Sequence, residues 1–172
     1  MSKLESAANI ATVFVGIAVC LTVVQRYRVS GAPPHRPAAY AVSDNLSGAL
    51  PVTFAAADRT AIVVVQTGCR FCENSIPFYR RLIAERNRLK SNVQIVFVAP
   101  ARDTGIQASL ALKGVVPDTL LHTGEGVGLH VVATPTLIVA DRDGKVVSSL
   151  MGELADAEQR EVFVALFGRR VS

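Results

Sequence analysis

Two cysteines, Cys69 and Cys72, are the residues of this chain whose type and spacing could do chemistry. They follow an apolar run over residues 61–65 and open a segment with helical periodicity. A helix N-terminus carries partial positive charge and unpaired backbone N–H groups, which stabilise a thiolate. A thiolate attacks disulfides, and a cysteine three positions further on can resolve the mixed disulfide that results. We therefore interpret the pair as a redox dithiol.

The elements that must position this pair follow from hydrophobic periodicity. Short β-branched or apolar runs predict strands over residues 61–66, 93–99, 136–140 and 145–150, the last two forming a hairpin around the turn 141–144. Amphipathic spacing predicts helices over 72–90, 104–113 and 156–167. Weaker patterns indicate a strand within 116–122 and a helix within 125–132. This alternation predicts an α/β domain with a mixed sheet and helices on both faces.

An apolar segment precedes the domain. Residues 7–24 carry no charge, and as a helix they would be about 27 Å long, enough to cross a bilayer. We predict a membrane anchor over residues 1–29, since no small-residue cleavage site follows closely; a cleaved signal peptide is the alternative. Residues 30–51, with four prolines, are predicted to form a linker to a domain over 52–172.

Orientation in the membrane is less clearly indicated. The positive charges Arg26, Arg28 and Arg36 outweigh Lys3, which would leave the domain in the cytoplasm. A tethered redox domain, however, is expected to serve partners at or across the membrane, and we favour the extracytoplasmic (periplasmic) side. The net charge of +4 is modest, and basic residues within 80–90 fit a solvated helix face, so we expect no nucleic-acid partner.

Two prolines extend the pattern around the dithiol. Pro77 lies within the predicted helix, where it should kink the backbone, and Pro135 precedes the predicted hairpin, 66 residues after Cys69. With the dithiol, these features resemble the thioredoxin fold over residues 50–168, a three-layer arrangement around a mixed sheet. The predicted anchor, the Thr-Pro-Thr sequence around Pro135 and an apparent insertion near 101–122 are most similar to the membrane-tethered TlpA/ResA-type thiol-disulfide oxidoreductases.

The resemblance implies a role for each site residue. Cys69 would attack and Cys72 would resolve, while Pro135 would be cis and would place the Thr134 backbone beside the dithiol. There a partner's extended chain could pair as an added strand. Arg70 would favour the Cys69 thiolate by charge attraction. Partners would be protein thiols or disulfides, with an electron donor in the membrane, and no cofactor is expected.

The chain also departs from that pattern. Gly68 stands where the family usually has an aromatic residue, commonly tryptophan, and Arg70 and Phe71 replace the usual interior pair. Val63 occupies the position of the buried acid of thioredoxin, so no residue is evident that would take a proton from Cys72. Glu73 opposes the charge of Arg70.

Other functions were weighed against this one. A zinc site would need His122 and His130 as further ligands, and haem attachment would need histidine where Glu73 stands. A peroxiredoxin-like antioxidant protein would need a proline within residues 62–68, which is absent. A thioredoxin-like partner-binding module with little redox activity is the alternative from another class. We favour a membrane-anchored thiol-disulfide oxidoreductase, with cytochrome or metal-centre maturation as a compatible role.

Overall fold

A computed structural model describes residues 39–124 and 127–168 of the 172-residue chain. The predicted anchor and most of the predicted linker lie outside these residues. Within them, no helix is both long and apolar enough to cross a membrane.

Five strands form one mixed sheet in the described part of the chain. In chain order they are β1 Arg59–Val64, β2 Val93–Ala99, β3 Thr119–His122, β4 Thr136–Asp141 and β5 Val146–Met151. Their order across the sheet is β3-β2-β1-β4-β5, with β1, β2 and β3 parallel and β4 and β5 antiparallel to their neighbours. The predicted mixed sheet is confirmed. Because β1 is its central strand, residues of β1 are buried on both faces.

The helices are α1 Arg70–Asn74, α2 Ile76–Leu89, α3 Ile106–Leu112 and α4 Asp156–Phe167. The helix predicted over 72–90 is divided at Ser75, which ends α1 and begins α2. Pro77 is the second residue of α2, a position that tolerates a missing N–H group. The carbonyl of Phe71 accepts a hydrogen bond from the Ser75 hydroxyl at 2.8 Å, which supports the joint.

Helices cover one face of the sheet. Alternate residues of β1, such as Ala61 and Val63, contribute to a core completed by apolar side chains of α2, α3 and α4, among them Leu82, Leu110 and Phe163. This face holds the aromatic pairs of the domain, including the edge-to-face contact of Tyr79 with Phe97 at 5.4 Å. Both cysteines are part of the core on this face.

The opposite face corrects the prediction of helices on both sides. Its core is covered by the segment preceding β1, which includes one turn of 3-10 helix at Phe54–Ala56, and by residues 127–131, which are not helical. The predicted helix within 125–132 is therefore wrong for residues 127–132. The physical reason is the alternation of half-buried Val127, Leu129 and Val131 with exposed neighbours, which suits extended chain, together with the glycine-rich sequence before it.

The domain also begins earlier than predicted. Leu46 and Leu50, assigned from the sequence to the linker, are 0% and 4% exposed. The backbone of Ser43 donates to the carbonyl of Val146 at 2.8 Å, and Val146 donates to Asp44 at 2.8 Å, so this segment pairs with the start of β5. Proline content suggested a linker, but the leucines between the prolines close the second core.

Candidate functional site

The dithiol lies at the start of α1, where the sequence predicted it. Cys69 caps the helix in an extended conformation, its Cα atom is 5.2 Å from that of Cys72, and the two form a disulfide. The backbone N–H of Cys72 points at the Cys69 sulfur, 3.1 Å away. Both side chains are buried, 8% and 5% exposed. The N–H group is placed to stabilise negative charge on Cys69 after reduction.

The loop before Cys69 is held by one carboxylate. Asp103 accepts two hydrogen bonds from Thr67, one from its backbone N–H and one from its hydroxyl, both at 2.6 Å. Gly68 has a φ of +75°, a conformation that residues with a side chain rarely adopt. The aromatic residue usual at this position would therefore be strained here, which gives a physical account of the departure.

Residue Thr134 reaches the dithiol from the far end of the domain. Its carbonyl oxygen is 3.5 Å from the Cys69 sulfur, and the bond to Pro135 is cis. The Thr136 hydroxyl donates to the Ala133 carbonyl at 2.7 Å, and the N–H of Gly152 donates to the Pro135 carbonyl at 2.7 Å. The structure thus brings Cys69, Cys72, Thr134 and Pro135 together.

Both residues between the cysteines face outward. Arg70 is exposed, and the Phe71 ring is 55% exposed. Both side chains are therefore accessible to a molecule that approaches the disulfide.

A groove opens beside Thr134, at the carboxyl ends of β1 and β2. It has a volume of about 400 Å³ and a mostly apolar lining that includes Val64, Val98, Leu129, Val131 and Val132. Val132 is 85% exposed at its rim. The non-helical segment 127–132 forms one wall of this groove. Because the sequence pattern predicts a helix there, it does not predict the groove.

The side of Cys72 away from Cys69 faces a second set of groups. Val63 stands at the position of β1 where thioredoxin has a buried acid, and this valine side chain is fully buried. Glu73 instead forms an ion pair with Lys113 at the end of α3, and Lys113 also donates to the Ser109 hydroxyl at 3.1 Å. Sequence reasoning treated Glu73 only as an opponent of Arg70, because nothing in the sequence signals a pairing across 40 residues.

Tyr79 lies in the same region. Burial raises the pKa of its phenol far above the ordinary value, and the neighbouring Ser75 hydroxyl lowers it by a smaller amount. Tyr79 therefore keeps its proton throughout the physiological pH range.

The two histidines considered as zinc ligands serve other contacts. The Nδ1 atom of His122 is 3.2 Å from the Pro100 carbonyl, and the backbone N–H of His130 donates to the Tyr40 hydroxyl at 2.8 Å. In residues 39–124 and 127–168, no three His, Cys, Asp or Glu side chains are grouped so that they could hold a metal.

Comparison with solved structures identifies the architecture. A secreted disulfide oxidoreductase of Mycobacterium tuberculosis, homologous to E. coli DsbE, superposes with a TM-score of 0.53 at 18% identity, over 76% of this chain and 97% of that one. The chain has a thioredoxin-like fold. A thiol-disulfide isomerase from Corynebacterium glutamicum matches with a TM-score of 0.54 at 16% identity, over 81% and 99% of the two chains.

The thioredoxin-like domain also resembles a thiol:disulfide interchange protein from Bacteroides sp., with a TM-score of 0.54 at 16% identity, over 71% and 82% of the chains. No protein-family model matches the sequence, and neither does any of the curated proteins compared with it. At these identities the similarity shows the fold, so the chemistry of the domain must be argued from its own residues.

Proposed function

We propose that this protein is a thiol-disulfide oxidoreductase that exchanges disulfides with partner proteins through Cys69 and Cys72. The observation that carries the proposal is the position of the Cys69 sulfur. It caps a helix, receives the Cys72 N–H at 3.1 Å and lies 3.5 Å from the Thr134 carbonyl. A sulfur in this setting is stabilised as a thiolate. The Thr134 backbone beside it could pair with an extended chain of a partner.

The exchange follows from this geometry. In the reduced protein, the Cys69 thiolate attacks one sulfur of a partner disulfide, and the other partner sulfur leaves as a thiolate. The Cys72 thiolate then attacks the Cys69 sulfur, the Cys69–Cys72 disulfide forms and the second partner sulfur leaves. Two electrons pass to the partner, which is reduced while the protein is oxidised. The same steps in reverse oxidise a partner dithiol.

Extended protein segments are the substrate class that fits the site. A partner strand laid along Thr134 would present its cysteine to Cys69 and its apolar side chains to the 400 Å³ groove. Phe71 and Val132, both exposed, would be covered in such a complex. The energetic gain would come from apolar burial plus main-chain hydrogen bonds.

The proposal extends to location. The uncharged run over residues 7–24 supports a single-pass anchor. The expectation that a tethered redox domain serves partners at or across the membrane supports the extracytoplasmic side, whereas Arg26, Arg28 and Arg36 favour the opposite orientation. This arrangement, like the resemblance to TlpA/ResA-type proteins, would suit maturation of cytochromes or metal centres, with reducing equivalents supplied through the membrane. A reporter thiol outside the disulfide tests the orientation. Val116, which is 68% exposed, is replaced in Val116→Cys, with Cys20, Cys69 and Cys72 changed to serine, and intact cells are treated with a membrane-impermeant maleimide. Labelling in intact cells is expected, and protection until the membrane is permeabilised would place the domain inside.

A trapping experiment tests the activity. In full-length Cys72→Ser, the mixed disulfide at Cys69 cannot be resolved, and we expect covalent partner complexes that dissociate on reduction. Cys69→Ser is the matched control, because like Cys72→Ser it keeps one thiol of the pair together with Cys20, but it should trap nothing. Equal trapping by both variants, or by neither in cells supplied with partners, would contradict the proposed exchange.

Exposed Phe71 also supports the second candidate, a thioredoxin-like module that binds partners with little redox chemistry. The two functions differ in a double serine variant, which removes both thiols. Recovery of one partner by this variant, with no trapped complex from Cys72→Ser, would favour the binding module.

A further inference from the structure

The resolving step needs Cys72 to lose a proton, and the position that holds an acid in thioredoxin is here Val63. Cys72 is 5% exposed, so its thiol is largely shielded from solvent base. The groups around its buried side must therefore be searched for another acceptor.

A small cavity lies against Cys72 on the side of α3. Its volume is about 10 Å³, close to the space that one water molecule needs. The polar residues that line it, besides Cys72, are Gln66, Glu73, Tyr79, Ser109 and Lys113, and apolar residues such as Ile106 close the rest. The amide of Gln66 has no basic group and cannot accept a proton near neutral pH. The Tyr79 hydroxyl is buried and has no hydrogen-bond partner in standard geometry within the described residues. A water in this space would satisfy that hydroxyl and would connect Cys72 with the other polar groups.

Only one of these groups can take a proton. Burial keeps Tyr79 protonated by raising its pKa, so the phenol donates hydrogen bonds and does not act as a base. Lys113 is the cation of the ion pair, and its contacts to Glu73 and Ser109 hold it in place. The Glu73 carboxylate remains as the acceptor.

The other charged groups near α1 are engaged elsewhere or face away. Asp103 accepts both hydrogen bonds from Thr67, and Glu153 accepts one from the Asn74 side chain at 2.9 Å. Arg70 is exposed on the outer side of the motif. Neither Asp103, Glu153 nor Arg70 contributes to the lining of the cavity.

We propose that the Glu73 carboxylate, positioned by Lys113, accepts the proton that the Cys72 thiol releases when Cys72 resolves the mixed disulfide. The proposal rests on the proposed exchange function and assigns the acceptor within that site. The proton passes from Cys72 through one water to Glu73, and the Cys72 thiolate attacks the Cys69 sulfur. The departing partner thiolate takes a proton from solvent, and Glu73 releases its proton to solvent, to which its carboxylate is 43% exposed.

The test follows the two sulfurs separately. Reduced full-length protein that carries Cys20→Ser, so that Cys69 and Cys72 are its only thiols, is mixed in detergent with dithiobis-nitrobenzoate, and the coloured nitrothiobenzoate is recorded by stopped-flow absorbance. This protein is the reference called wild type below, and each variant is made in it. The first equivalent appears when Cys69 attacks, and the second appears when Cys72 resolves the adduct. The variant is Glu73→Gln, which keeps shape and removes the base. Glu153→Gln is the matched control, because it makes the same change in charge near α1 outside the cavity.

Positioned proton acceptors typically contribute about 10²–10⁴-fold, and solvent can replace part of that here, so we expect Glu73→Gln to slow the second phase about tenfold near pH 6.5. The difference should vanish above pH ~9, where a thiol of ordinary pKa ionises without help. The control and wild type should coincide, and Glu73→Asp should recover part of the rate. Lys113→Gln should also slow the second phase, because Glu73 loses its positioning partner.

The outcomes separate this inference from the proposed function. Absence of both phases in the wild type would overturn the exchange function itself. Normal phases in the wild type with an unchanged second phase in Glu73→Gln would overturn only the proton-acceptor role. Equal slowing of both phases, or equal slowing by Glu153→Gln, would also overturn it, since a general change of surface charge would then be the cause.

Discussion

The Cys69 sulfur lies 3.5 Å from the carbonyl oxygen of Thr134, although 65 residues separate them in the chain. The central pairing of the sheet produces this contact. β1 leads into the dithiol and β4 leaves Pro135, and the two strands are antiparallel neighbours with Val64 opposite Thr136. The dithiol and the Thr134 backbone therefore meet at one end of these strands, where β1 ends and β4 begins. We expect a partner bound at Cys69 to contact this backbone.

The first prediction concerns the rim of the groove. Val132 is 85% exposed, so Val132→Asp should not affect folding, but it should place a charge where a partner's apolar side chains are expected. We expect the rate of exchange with a disulfide-bonded peptide carrying apolar flanking residues to fall about tenfold, equivalent to about 1.4 kcal/mol. The rate with dithiobis-nitrobenzoate, which is too small to occupy the groove, should be unchanged.

Val116→Asp is the matched control for this variant, because Val116 is also exposed, at 68%, but lies between α3 and β3. If both substitutions slow the peptide reaction equally, the groove does not bind the partner.

A second prediction concerns Arg70. We expect its charge to favour the Cys69 thiolate, and a stabilised thiolate would make the reduced form more stable and the disulfide more oxidising. Because Arg70 is exposed and screened by solvent, we expect Arg70→Glu to lower the reduction potential by only about 20 mV. Equilibration with glutathione buffers at low and high salt measures this shift, which should shrink as salt rises.

Arg160→Glu, on exposed α4, makes the same change in charge away from the dithiol and should leave the potential unchanged. A rise in potential for Arg70→Glu would contradict the assigned direction of the effect.

The sequence predicted the elements that carry strong local signals. β1, β2 and the hairpin strands β4 and β5 are short runs rich in β-branched residues. Each end of these strands lies within two residues of the predicted end. The dithiol and Pro135 were recognisable because chemistry and backbone geometry restrict those residue types. Glu73 and Lys113 gave no such signal, since their ion pair depends on how α3 packs beside α1.

Two errors have a common cause. The sequence pattern predicts a helix within 125–132 and a linker over 30–51, whereas the second face is covered by non-helical chain at 127–131 and by turns and isolated bridges within 40–51. The period-two spacing of Val127, Leu129 and Val131 matches their half-burial in the structure, and it is the sequence signal that distinguishes this segment from a helix. In the earlier segment, prolines concealed two core leucines.

The third prediction tests that earlier segment. Leu46 is fully buried in the second core, and Leu46→Ala should lower the free energy of unfolding by about 2–5 kcal/mol, as large-to-small substitutions in cores do. Val42→Ala, in the same segment but 68% exposed, should change it by less than about 0.5 kcal/mol. Urea unfolding monitored by circular dichroism measures both. Equal and small effects would show that residues 40–51 act as a linker after all.

The fourth prediction follows from the raised pKa of Tyr79. In the unfolded chain the phenol ionises near pH ~10, whereas in the folded domain burial keeps it neutral to higher pH. The folded state therefore binds the proton more tightly, so this contribution to stability is fully present below pH ~10 and is lost as pH rises toward the folded pKa. Between the unfolded and folded pKa values of Tyr79, the free energy of unfolding should fall by about 1.4 kcal/mol per pH unit.

Tyr79→Phe removes the ionisable group and keeps the ring that packs against Phe97. Between pH 9 and pH 11, the melting temperature of the wild type should therefore fall more steeply than that of the variant. At pH 7 the variant should be as stable as the wild type or more stable, because it no longer buries a hydroxyl that lacks a hydrogen-bond partner in standard geometry. Parallel profiles for wild type and Tyr79→Phe would show that the phenol ionises equally in both states, and would remove the argument that Tyr79 cannot be the proton acceptor for Cys72.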